Sequence, residues 1–383
     1  MPDVVVIGSG VVGAACAYYA ARAGLTVTVV DRGPVAGGTT GAGEGNILVS
    51  DKGPGAELDL ATLSARLWRD LAAEVAGGAE RPFGDLVEYE PKGGLVVAET
   101  PGILNALTGL ADRQRVHGVT AVAVPPEDLR AYEPHLAGGL AGGVHYPQDA
   151  QVQPMLAAAH LIRLSGARTR TGAEVTGLLR GAGGRVTGVR TARGDIPAGA
   201  VVNAAGTWAG EIAAFAGLTL PVLPRRGFIL VTEPVPPLIR HKVYTAAYVA
   251  GVASDDAGLE TSAVVEGTKA GTVLIGASRE RVGFDRTVSL PVLARLAAQA
   301  TALFPRLADV RVIRTYCGFR PYCPDHLPVI GADRRTPGLF HACGHEGAGI
   351  GLAPATGRLI AAAIGGAEPP VDPAPFLPGR FAA

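Results

Sequence analysis

Three glycines near the start of the chain have the spacing of a turn that binds phosphate groups. Gly8, Gly10 and Gly13 follow the apolar run from Val4 to Ile7 and precede a segment rich in small residues. In a G-x-G-x-x-G turn, the first glycine permits the bend, the second lets a pyrophosphate approach the backbone, and the third lets helix and strand pack closely. The N–H groups and the positive dipole end of the following helix would face the phosphates.

An acidic residue completes this predicted site. A second apolar stretch, residues 25–30, ends in Asp31. A carboxylate there can accept hydrogen bonds from both ribose hydroxyls and would repel a 2′-phosphate. A glycine-rich turn alone is a weak signal, but here strand, glycines, helix, second strand and acid follow in the right order. We therefore predict that the chain binds a dinucleotide.

Two further stretches could lie along a long cofactor. Residues 32–46 are rich in glycine and threonine, where an ordinary NAD-binding domain would continue with further strand–helix units. Their N–H groups and hydroxyls could bind a cofactor, although a surface loop has the same composition. Residues 201–208 indicate a strand, a small-residue turn and the start of a helix, which would be a second place of contact.

The C-terminal part of the chain contains another glycine-rich turn. Between Gly344 and Gly357 the sequence is G-H-E-G-A-G-I-G-L-A-P-A-T-G. A glycine-rich loop that opens a helix presents unpaired N–H donors, which suit an oxygen carrying negative charge. A plain tight turn is the alternative interpretation of these residues.

Composition excludes several classes of function. The chain has 383 residues, enough for two domains, and Lys plus Arg and Asp plus Glu both number 34, which leaves no basic excess for nucleic acid or an anionic membrane. No apolar run approaches the roughly 20 residues that span a bilayer, and the first run lacks the basic leader of a signal peptide. The four cysteines have no metal-ligand spacing. We expect a cytoplasmic protein without a nucleic-acid partner, a membrane span or a metal site.

The predicted elements position these stretches in two domains. Helices are predicted at residues 57–76, at 102–116 and after Pro154, and a mostly antiparallel sheet at 227–278. The parallel units at 1–45, 150–210 and the C-terminus are interrupted twice, so the fold class is α/β and α+β, with a Rossmann-like domain and an inserted, mostly antiparallel-sheet domain. The expected boundaries are 1–50, 148–225 and 325–383 for the cofactor domain, and 51–147 and 226–324 for the substrate domain.

The order of these motifs resembles the flavoprotein superfamily of D-amino-acid oxidase, glycine oxidase and sarcosine oxidase. The G-x-G-x-x-G start, T-T-G-x-G, N-A-A-G-x-W, R-P-x-x-P-D-x-x-P-V-I-G and the C-terminal glycine turn span nearly the whole chain. Within that superfamily, the last motif is most similar to the FAD-bearing β subunits of D-hydroxyproline dehydrogenase and of opine oxidase or cyanide synthase.

The resemblance implies a noncovalent FAD, because Cys317 does not align with the cysteine through which some relatives attach flavin. The implied FAD contacts are Gly8, Gly10, Val12, Gly13, Asp31, Arg32, Thr39, Thr40, Gly45, Asn46, Val175, Gly206, Trp208, Gly347, Gly349 and Ile350. The last three would face the flavin N1–C2=O edge, where a helix N-terminus would stabilise the negative charge of the reduced ring.

The resemblance also implies substrate contacts. Arg320 would bind a substrate carboxylate through two charge-assisted hydrogen bonds, or form a structural salt bridge. Tyr244 and Tyr248 would line the substrate cavity, or lie in the core. His345 is a candidate base, although a packing role beside the flavin is favoured, and Glu44 is either an acid near the flavin or a solvated loop residue.

The implied reaction is oxidation of a D-amino acid or secondary α-amino acid, of the D-hydroxyproline or D-proline type, to the imine by hydride transfer to flavin N5. A lysine that activates oxygen in sarcosine oxidases is replaced near Leu274, which favours a dehydrogenase whose electrons pass to a partner subunit with an iron–sulfur centre or second flavin. The alternatives are a self-contained oxidase of glycine, sarcosine or proline that produces peroxide, a noncatalytic flavin-binding subunit and an NAD-dependent dehydrogenase.

Overall fold

The computed structural model describes residues 1–75, 81–252 and 256–381. Its α-helices are α1 (Val11–Arg22), α2 (Ala56–Ala73), α3 (Phe83–Leu86), α4 (Pro101–Val116), α5 (Leu129–Tyr132), α6 (Pro154–Ser165), α7 (Ala209–Ala214), α8 (Ala246–Val252), α9 (Leu290–Leu303) and α10 (Gly349–Gly365). Its strands are β1 (Val4–Ile7), β2 (Val27–Val30), β3 (Asn46–Ile47), β4 (Gly94–Ala98), β5 (Val122–Val124), β6 (Gly142–Tyr146), β7 (Ala150–Gln151), β8 (Arg168–Arg170), β9 (Val175–Arg180), β10 (Val186–Thr191), β11 (Gly194–Pro197), β12 (Ala200–Asn203), β13 (Leu223–Thr232), β14 (Lys242–Thr245), β15 (Glu260–Gly267), β16 (Val273–Arg279), β17 (Val312–Tyr322), β18 (Val329–Ala332) and β19 (Leu339–Cys343).

A six-stranded sheet in the order β18-β19-β12-β1-β2-β8 carries the nucleotide motif. All its pairs are parallel except that of β18 with β19. Val4 and Val6 of β1 pack in the cluster that holds α1, α2 and α10, while Val5 and Ile7 face the β9-β10-β11 sheet and α7. Because both faces are covered, β1 is a continuous apolar run with no polar alternation.

An eight-stranded sheet in the order β17-β13-β16-β15-β14-β4-β6-β5 forms the other large layer. Its pairs are antiparallel except that of β14 with β4. The long strands β13 and β17 pair from Leu223 and Tyr322 to Thr232 and Val312, and α9 packs against this sheet. The predicted fold class, a parallel Rossmann-like layer with a mostly antiparallel second sheet, is confirmed.

Three local predictions need correction. A helix, α8, lies between β14 and β15 where only strands were predicted, because the polypeptide leaves the sheet after Thr245. Residues 175–197 form a separate antiparallel sheet inside a stretch predicted as parallel units. The helix predicted at 57–76 ends at Ala73, and residue 76 lies outside the described residues.

The strands of the six-stranded sheet come from residues 4–30, 168–203 and 329–343, and those of the eight-stranded sheet from 94–146 and 223–322. The predicted domain boundaries stay a prediction. Of the helices in the described residues, none has both the length and the apolar character needed to cross a membrane.

Candidate active site

A cavity of about 650 Å³ is lined by residues of both large sheets. The parallel sheet contributes the carboxyl ends of β1 and β2, and the antiparallel sheet contributes β13 and β17. Ligands of parallel α/β sheets bind at the carboxyl ends of the strands, so the part of the cavity beside β1 and β2 lies where this topology predicts a ligand. We call this part, lined by Gly8, Gly10 and Asp31, the nucleotide end.

The glycine turn shapes the nucleotide end through the absence of side chains. Gly8 has φ of +107°, and a Cβ there would collide with the carbonyl oxygen of Ala204. A Cβ at Gly13 would collide with the carbonyl oxygen of Gly8, so Gly13 lets α1 pack on β1 without lining the cavity itself. Gly10 lines the cavity, where its bare backbone can approach a ligand.

A residue distant in sequence supports the first turn of α1. Gly10 precedes this helix and has no side chain to cap it. The Thr40 hydroxyl accepts a hydrogen bond from the Val11 N–H at 3.0 Å instead. Thr40 and Thr39 both line the cavity, and the Thr39 hydroxyl donates to the Phe319 carbonyl oxygen at 2.6 Å. Segment 39–46 is therefore attached to α1 on one side and to β17 of the eight-stranded sheet on the other.

Asp31 lines the cavity and also ties the glycine turn together. Its Oδ2 accepts hydrogen bonds from the N–H and the hydroxyl of Ser9, both at 2.7 Å, and its Oδ1 accepts one from the Gly33 N–H at 2.8 Å. A carboxylate offers about four acceptor positions, so capacity for a ribose hydroxyl remains.

Aromatic and cationic side chains flank this end. The guanidinium of Arg32 lies 4.2 Å from the ring centroid of Trp208, and Trp208 stacks on Phe284 at 5.2 Å with an interplanar angle of 5°. Gly206, with φ of +56°, and Val175 also line the cavity. Each predicted residue of this flank thus lies on the cavity wall.

The start of α10 forms a further part of the cavity wall. Gly347, Gly349 and Ile350 line the cavity, and no side chain caps the helix N-terminus. The Trp68 indole donates to the carbonyl oxygens of Ile350 and Gly351 at 3.0 and 3.2 Å, which anchors this turn. Uncapped N–H groups at a cavity suit a ligand oxygen with negative charge.

Arg320 on β17 is a half-buried cation without a carboxylate partner in the described part of the chain. Its Nη1 donates to the Ser278 carbonyl oxygen at 2.8 Å, and its side chain lines the cavity. Gly227 makes room for it, since a Cβ there would collide with Nη1. Burial, reinforced by Arg279, lowers the pKa of Arg320, so this site favours an added anion.

One buried lysine is ion-paired with two carboxylates, one of which lines the cavity. Lys242 is 1% exposed, and its Nζ lies 2.5 Å from Glu266 Oε2 and 3.4 Å from Glu44 Oε2. Glu44 lines the cavity, and Asn46 donates to its Oε2 at 3.2 Å. Burial raises the pKa of Glu44, and Lys242 opposes this shift. We name these three residues (Glu44, Lys242 and Glu266) the buried triad.

The two predicted tyrosines have different positions. Tyr248, on α8, lines the cavity, and the Arg279 guanidinium lies 5.0 Å from its ring centroid. Tyr244 is 0% exposed, does not line the cavity and hydrogen bonds to Ser50, which in turn bonds to Asp149. Tyr244 lies on β14 and joins a buried polar network, which agrees with the core interpretation of this residue and not with the cavity-lining one.

His345 and Glu346 both have bonding partners within the protein. His345 is 4% exposed, its Nε2 lies 2.9 Å from the Thr356 hydroxyl, and burial lowers its pKa to about 3. His345 lines the cavity, but its neutral imidazole is bonded to α10, so we assign it a packing role. Glu346 is ion-paired with Arg225 at 2.6 Å and with His326 at 3.1 Å.

Three other residues that the sequence analysis singled out do not line the cavity. Gly45 does not line the cavity. It packs against Val152, whose carbonyl oxygen would collide with a Cβ at this position. Leu274, where a lysine was expected to be replaced, is also absent from the cavity wall, and the buried lysine nearby is Lys242 on another strand. Cys317 packs against the apolar cluster around α9 and does not line the cavity.

Sequence reasoning missed Lys242 and Glu266. The only sequence signal is a single lysine at the start of an apolar strand and a single glutamate near the end of another. Their pairing depends on the register between β14 and β15. Among the described residues, no group of three His, Cys, Asp or Glu could hold a metal ion.

Comparison with known proteins places the fold and cavity in a family. The chain matches the family model described as FAD dependent oxidoreductase over residues 3–363. It is 33% identical to glycine oxidase of Pseudomonas aeruginosa, covering 99% of both chains. It is 32% identical to hydrogen cyanide synthase subunit HcnC of the same species, covering 99% of this chain and 96% of that one. The structure resembles that of L-proline dehydrogenase from P. horikoshii, with a TM-score of 0.87 and 25% identity over 99% and 97% of the two chains.

Proposed function

Since this chain belongs to the family of FAD-dependent oxidoreductases, we propose that it oxidises a D-amino acid or secondary α-amino acid to the imine. FAD, the cofactor predicted from the motifs, is confirmed by the family. The observation that carries the substrate class is Arg320, a half-buried guanidinium in the cavity wall with no carboxylate partner among the described residues. A guanidinium matches the two oxygens of an α-carboxylate.

The residues of the cavity fit FAD. The backbone at Gly8 and Gly10 would hold the pyrophosphate, Asp31 the adenosine ribose, and the turn before α10 the flavin N1–C2=O edge. We propose that the cofactor is noncovalent, since the Cys317 thiol packs away from the cavity. When bound, FAD supplies the acceptor for the hydride of the substrate Cα–H.

The role of the chain's own residues is to bind and orient the substrate. Arg320 would fix the carboxylate, and Tyr248 and Ile229 would limit the space around the rest of the molecule. Fixing the reacting carbon in one orientation removes much of the entropy cost of the reaction. His345 takes no proton in this scheme, because its pKa near 3 leaves it neutral and bonded to Thr356.

We propose that the substrate is of the D-hydroxyproline or D-proline type and that electrons pass to a partner subunit with an iron–sulfur centre or second flavin. The similarity to a protein named as a synthase subunit supports the partner, and the similarity to a proline dehydrogenase supports a cyclic secondary amine. The comparable similarity to glycine oxidase supports a second candidate, an oxidase that passes electrons directly to oxygen.

The test is anaerobic mixing of the purified holoenzyme with D-proline, D-hydroxyproline, sarcosine and glycine, with L-proline as the stereochemical control. We expect D-proline or D-hydroxyproline to bleach the flavin absorbance faster than L-proline does. If no amino acid bleaches the flavin, the chain is a noncatalytic flavin-binding subunit. A colourless protein that cannot be reconstituted with FAD would contradict the cofactor and leave an NAD-dependent enzyme.

A second measurement separates the two acceptors. The reduced holoenzyme is mixed with air-saturated buffer or with an artificial dye acceptor, and reoxidation and peroxide are recorded. A dehydrogenase is reoxidised faster by the dye, whereas rapid peroxide formation by the isolated chain would favour the oxidase.

A further inference from the structure

We propose that Glu44 binds the ammonium group of the substrate and accepts its proton before the Cα–H bond is oxidised. This inference rests on the proposed function, since it requires a substrate that carries an amine beside a carboxylate. It adds a proton acceptor to a cavity in which His345 has been assigned a packing role.

The first observation is an unpartnered oxygen. Glu44 is 7% exposed and lines the cavity, and its Oε1 has no hydrogen-bond partner in the described part of the chain. Its Oε2 is bonded to Asn46 and lies 3.4 Å from Lys242. Buried polar atoms in native proteins nearly always have a partner, so this oxygen is expected to receive a donor from a ligand.

The second observation is the charge of the buried triad. Glu44 and Glu266 carry two negative charges and Lys242 carries one positive charge, so the triad has a net charge of −1 when all three are ionised. Uptake of one proton by Glu44 makes the triad neutral, which is favourable in a buried site. Burial also raises the pKa of Glu44, which makes its carboxylate a stronger base than a solvated glutamate.

The third observation is the position of Glu44 relative to Arg320. Arg320 Nη1 bonds to the carbonyl oxygen of Ser278, and Glu44 Oε1 would lie 2.8 Å from a Cβ placed on Gly276. Two residues of backbone span at most about 7 Å, so the two charged side chains meet β16 at neighbouring points. Both side chains line the same cavity and interact electrostatically, so one α-amino acid can present its carboxylate to Arg320 and its ammonium group to Glu44.

The proton step is balanced without any further reagent. An α-amino acid in neutral water carries an ammonium group, and hydride loss from Cα requires the nitrogen lone pair. One N–H bond of the ammonium breaks, its electron pair stays on nitrogen, and the proton forms an O–H bond with Glu44 Oε1. The charged and titratable groups near Glu44 are Lys242 on β14, Glu266 on β15, Arg320 and Tyr316 on β17, and Tyr248 on α8.

The experiment compares Glu44→Gln and Glu266→Gln with wild type. Each substitution removes one carboxylate from Lys242, but only the first removes it from the cavity wall. The rate of flavin bleaching by the best amino acid of the panel is measured anaerobically from pH 6 to pH 10. For Glu44→Gln we expect a loss on the order of 100-fold at pH 7 and a tenfold recovery per pH unit, because the variant needs substrate that is already neutral. Glu266→Gln keeps the acceptor on the cavity wall but removes a negative charge that raises the pKa of Glu44, so we expect a smaller loss of rate and a shifted pH profile without the tenfold recovery per pH unit.

Binding provides a readout independent of turnover. Tetrahydrofuran-2-carboxylate, which has ring oxygen in place of the amine, is titrated into each holoenzyme while the flavin spectrum is recorded. Its affinity should be unchanged or higher in Glu44→Gln. This ligand has no ammonium group that Glu44 could bind, and the substitution removes a negative charge near the ligand's carboxylate.

The outcomes distinguish this inference from the proposed function. If wild type is bleached by an amino acid but both variants show the same pH dependence as wild type, Glu44 is not the proton acceptor. If both variants change the pH dependence equally, Glu44 acts only through Lys242, which also overturns the inference. If no amino acid bleaches wild-type flavin, the proposed function itself is wrong and this inference is wrong with it.

Discussion

The two ends of the cavity are built from different parts of the polypeptide. At the nucleotide end the wall is mostly backbone: Gly8 and Gly10 bring bare main chain to the surface, and one carboxylate, Asp31, holds the turn. At the substrate end the wall is made by long side chains from the antiparallel sheet and its neighbours, among them Arg320 and Glu44. The first end presents N–H groups, whereas the second presents opposite charges.

We propose that this difference reflects the tasks of the two ends. A pyrophosphate is the same in every dinucleotide, so a fixed backbone turn recognises it and tolerates little change. Substrates differ between enzymes of one fold, and side chains can be exchanged without altering the main chain. The predictions below test this division, from the largest expected effect to the smallest.

The largest effect is expected at the substrate end, from Arg320→Ala. Removing one partner of a desolvated charge pair costs about 2–5 kcal/mol, which corresponds to a loss of roughly 30- to 4,000-fold in affinity for the amino acid or a carboxylate ligand. The dissociation constant is measured from the flavin spectrum under anaerobic conditions. The FAD content per chain should stay that of wild type, and unchanged ligand affinity would remove Arg320 from the substrate site.

The second effect is a pH dependence of stability that arises from the buried carboxyl group of Asp149. Asp149 accepts a hydrogen bond from the Val49 N–H at 2.8 Å, in the segment that follows the buried triad's Glu44, and burial raises the pKa of Asp149 from 3.8 to about 7. Because the folded state then binds more protons than the unfolded state, this carboxyl lowers stability as the pH rises from about 4 to about 7, by on the order of 3 kcal/mol.

Chemical denaturation of Asp149→Asn and of wild type at pH 5 and pH 8 measures how much this carboxyl contributes to the free energy of unfolding. The variant should lose more stability relative to wild type at pH 5 than at pH 8, because only wild type gains from the neutral buried acid. If the two proteins differ in unfolding free energy by the same amount at both pH values, Asp149 has the same ionisation in the folded and the unfolded state.

The third effect tests the close packing of α1 on β1 that supports the backbone wall, with Gly13→Ala. The added methyl would overlap the carbonyl oxygen of Gly8, and overpacking of this kind costs about 1–3 kcal/mol. We expect a lower unfolding midpoint and a lower FAD content. Gly102→Ala, in a helix with open space around the new methyl, is the matched control and should be neutral or slightly stabilising. Full FAD content in Gly13→Ala would contradict close packing at this turn.

The smallest effect is expected at Thr40, whose hydroxyl caps the first turn of α1. Thr40→Val removes the acceptor of the Val11 N–H and should cost about 1 kcal/mol of stability, as loss of a helix cap does. Thr40→Ser keeps the hydroxyl and should restore most of it. Chemical denaturation of the FAD-free protein provides the measurement, and equal stability of the two variants would exclude the capping role.

The nucleotide end could be predicted from sequence because its determinants are local. The strand, the turn from Gly8 to Gly13 and the acid at Asp31 lie within one stretch, and each glycine is required by the main chain around it. The same holds for the turn before α10. Arg320 was found through a motif of the resemblance, and its lack of a carboxylate partner within the described residues required the structure.

Amino-acid order alone determined where the chain bends, which strands are buried on both faces and which turns present N–H groups, since these properties depend on neighbours a few residues apart. Only the tertiary structure decided that Tyr248 faces the cavity while Tyr244 does not, and that Lys242 joins Glu44 to Glu266. Those contacts join residues more than twenty positions apart, and their geometry depends on strand register and helix placement. Burial then sets the charge balance of these groups, and burial is a property of the whole fold.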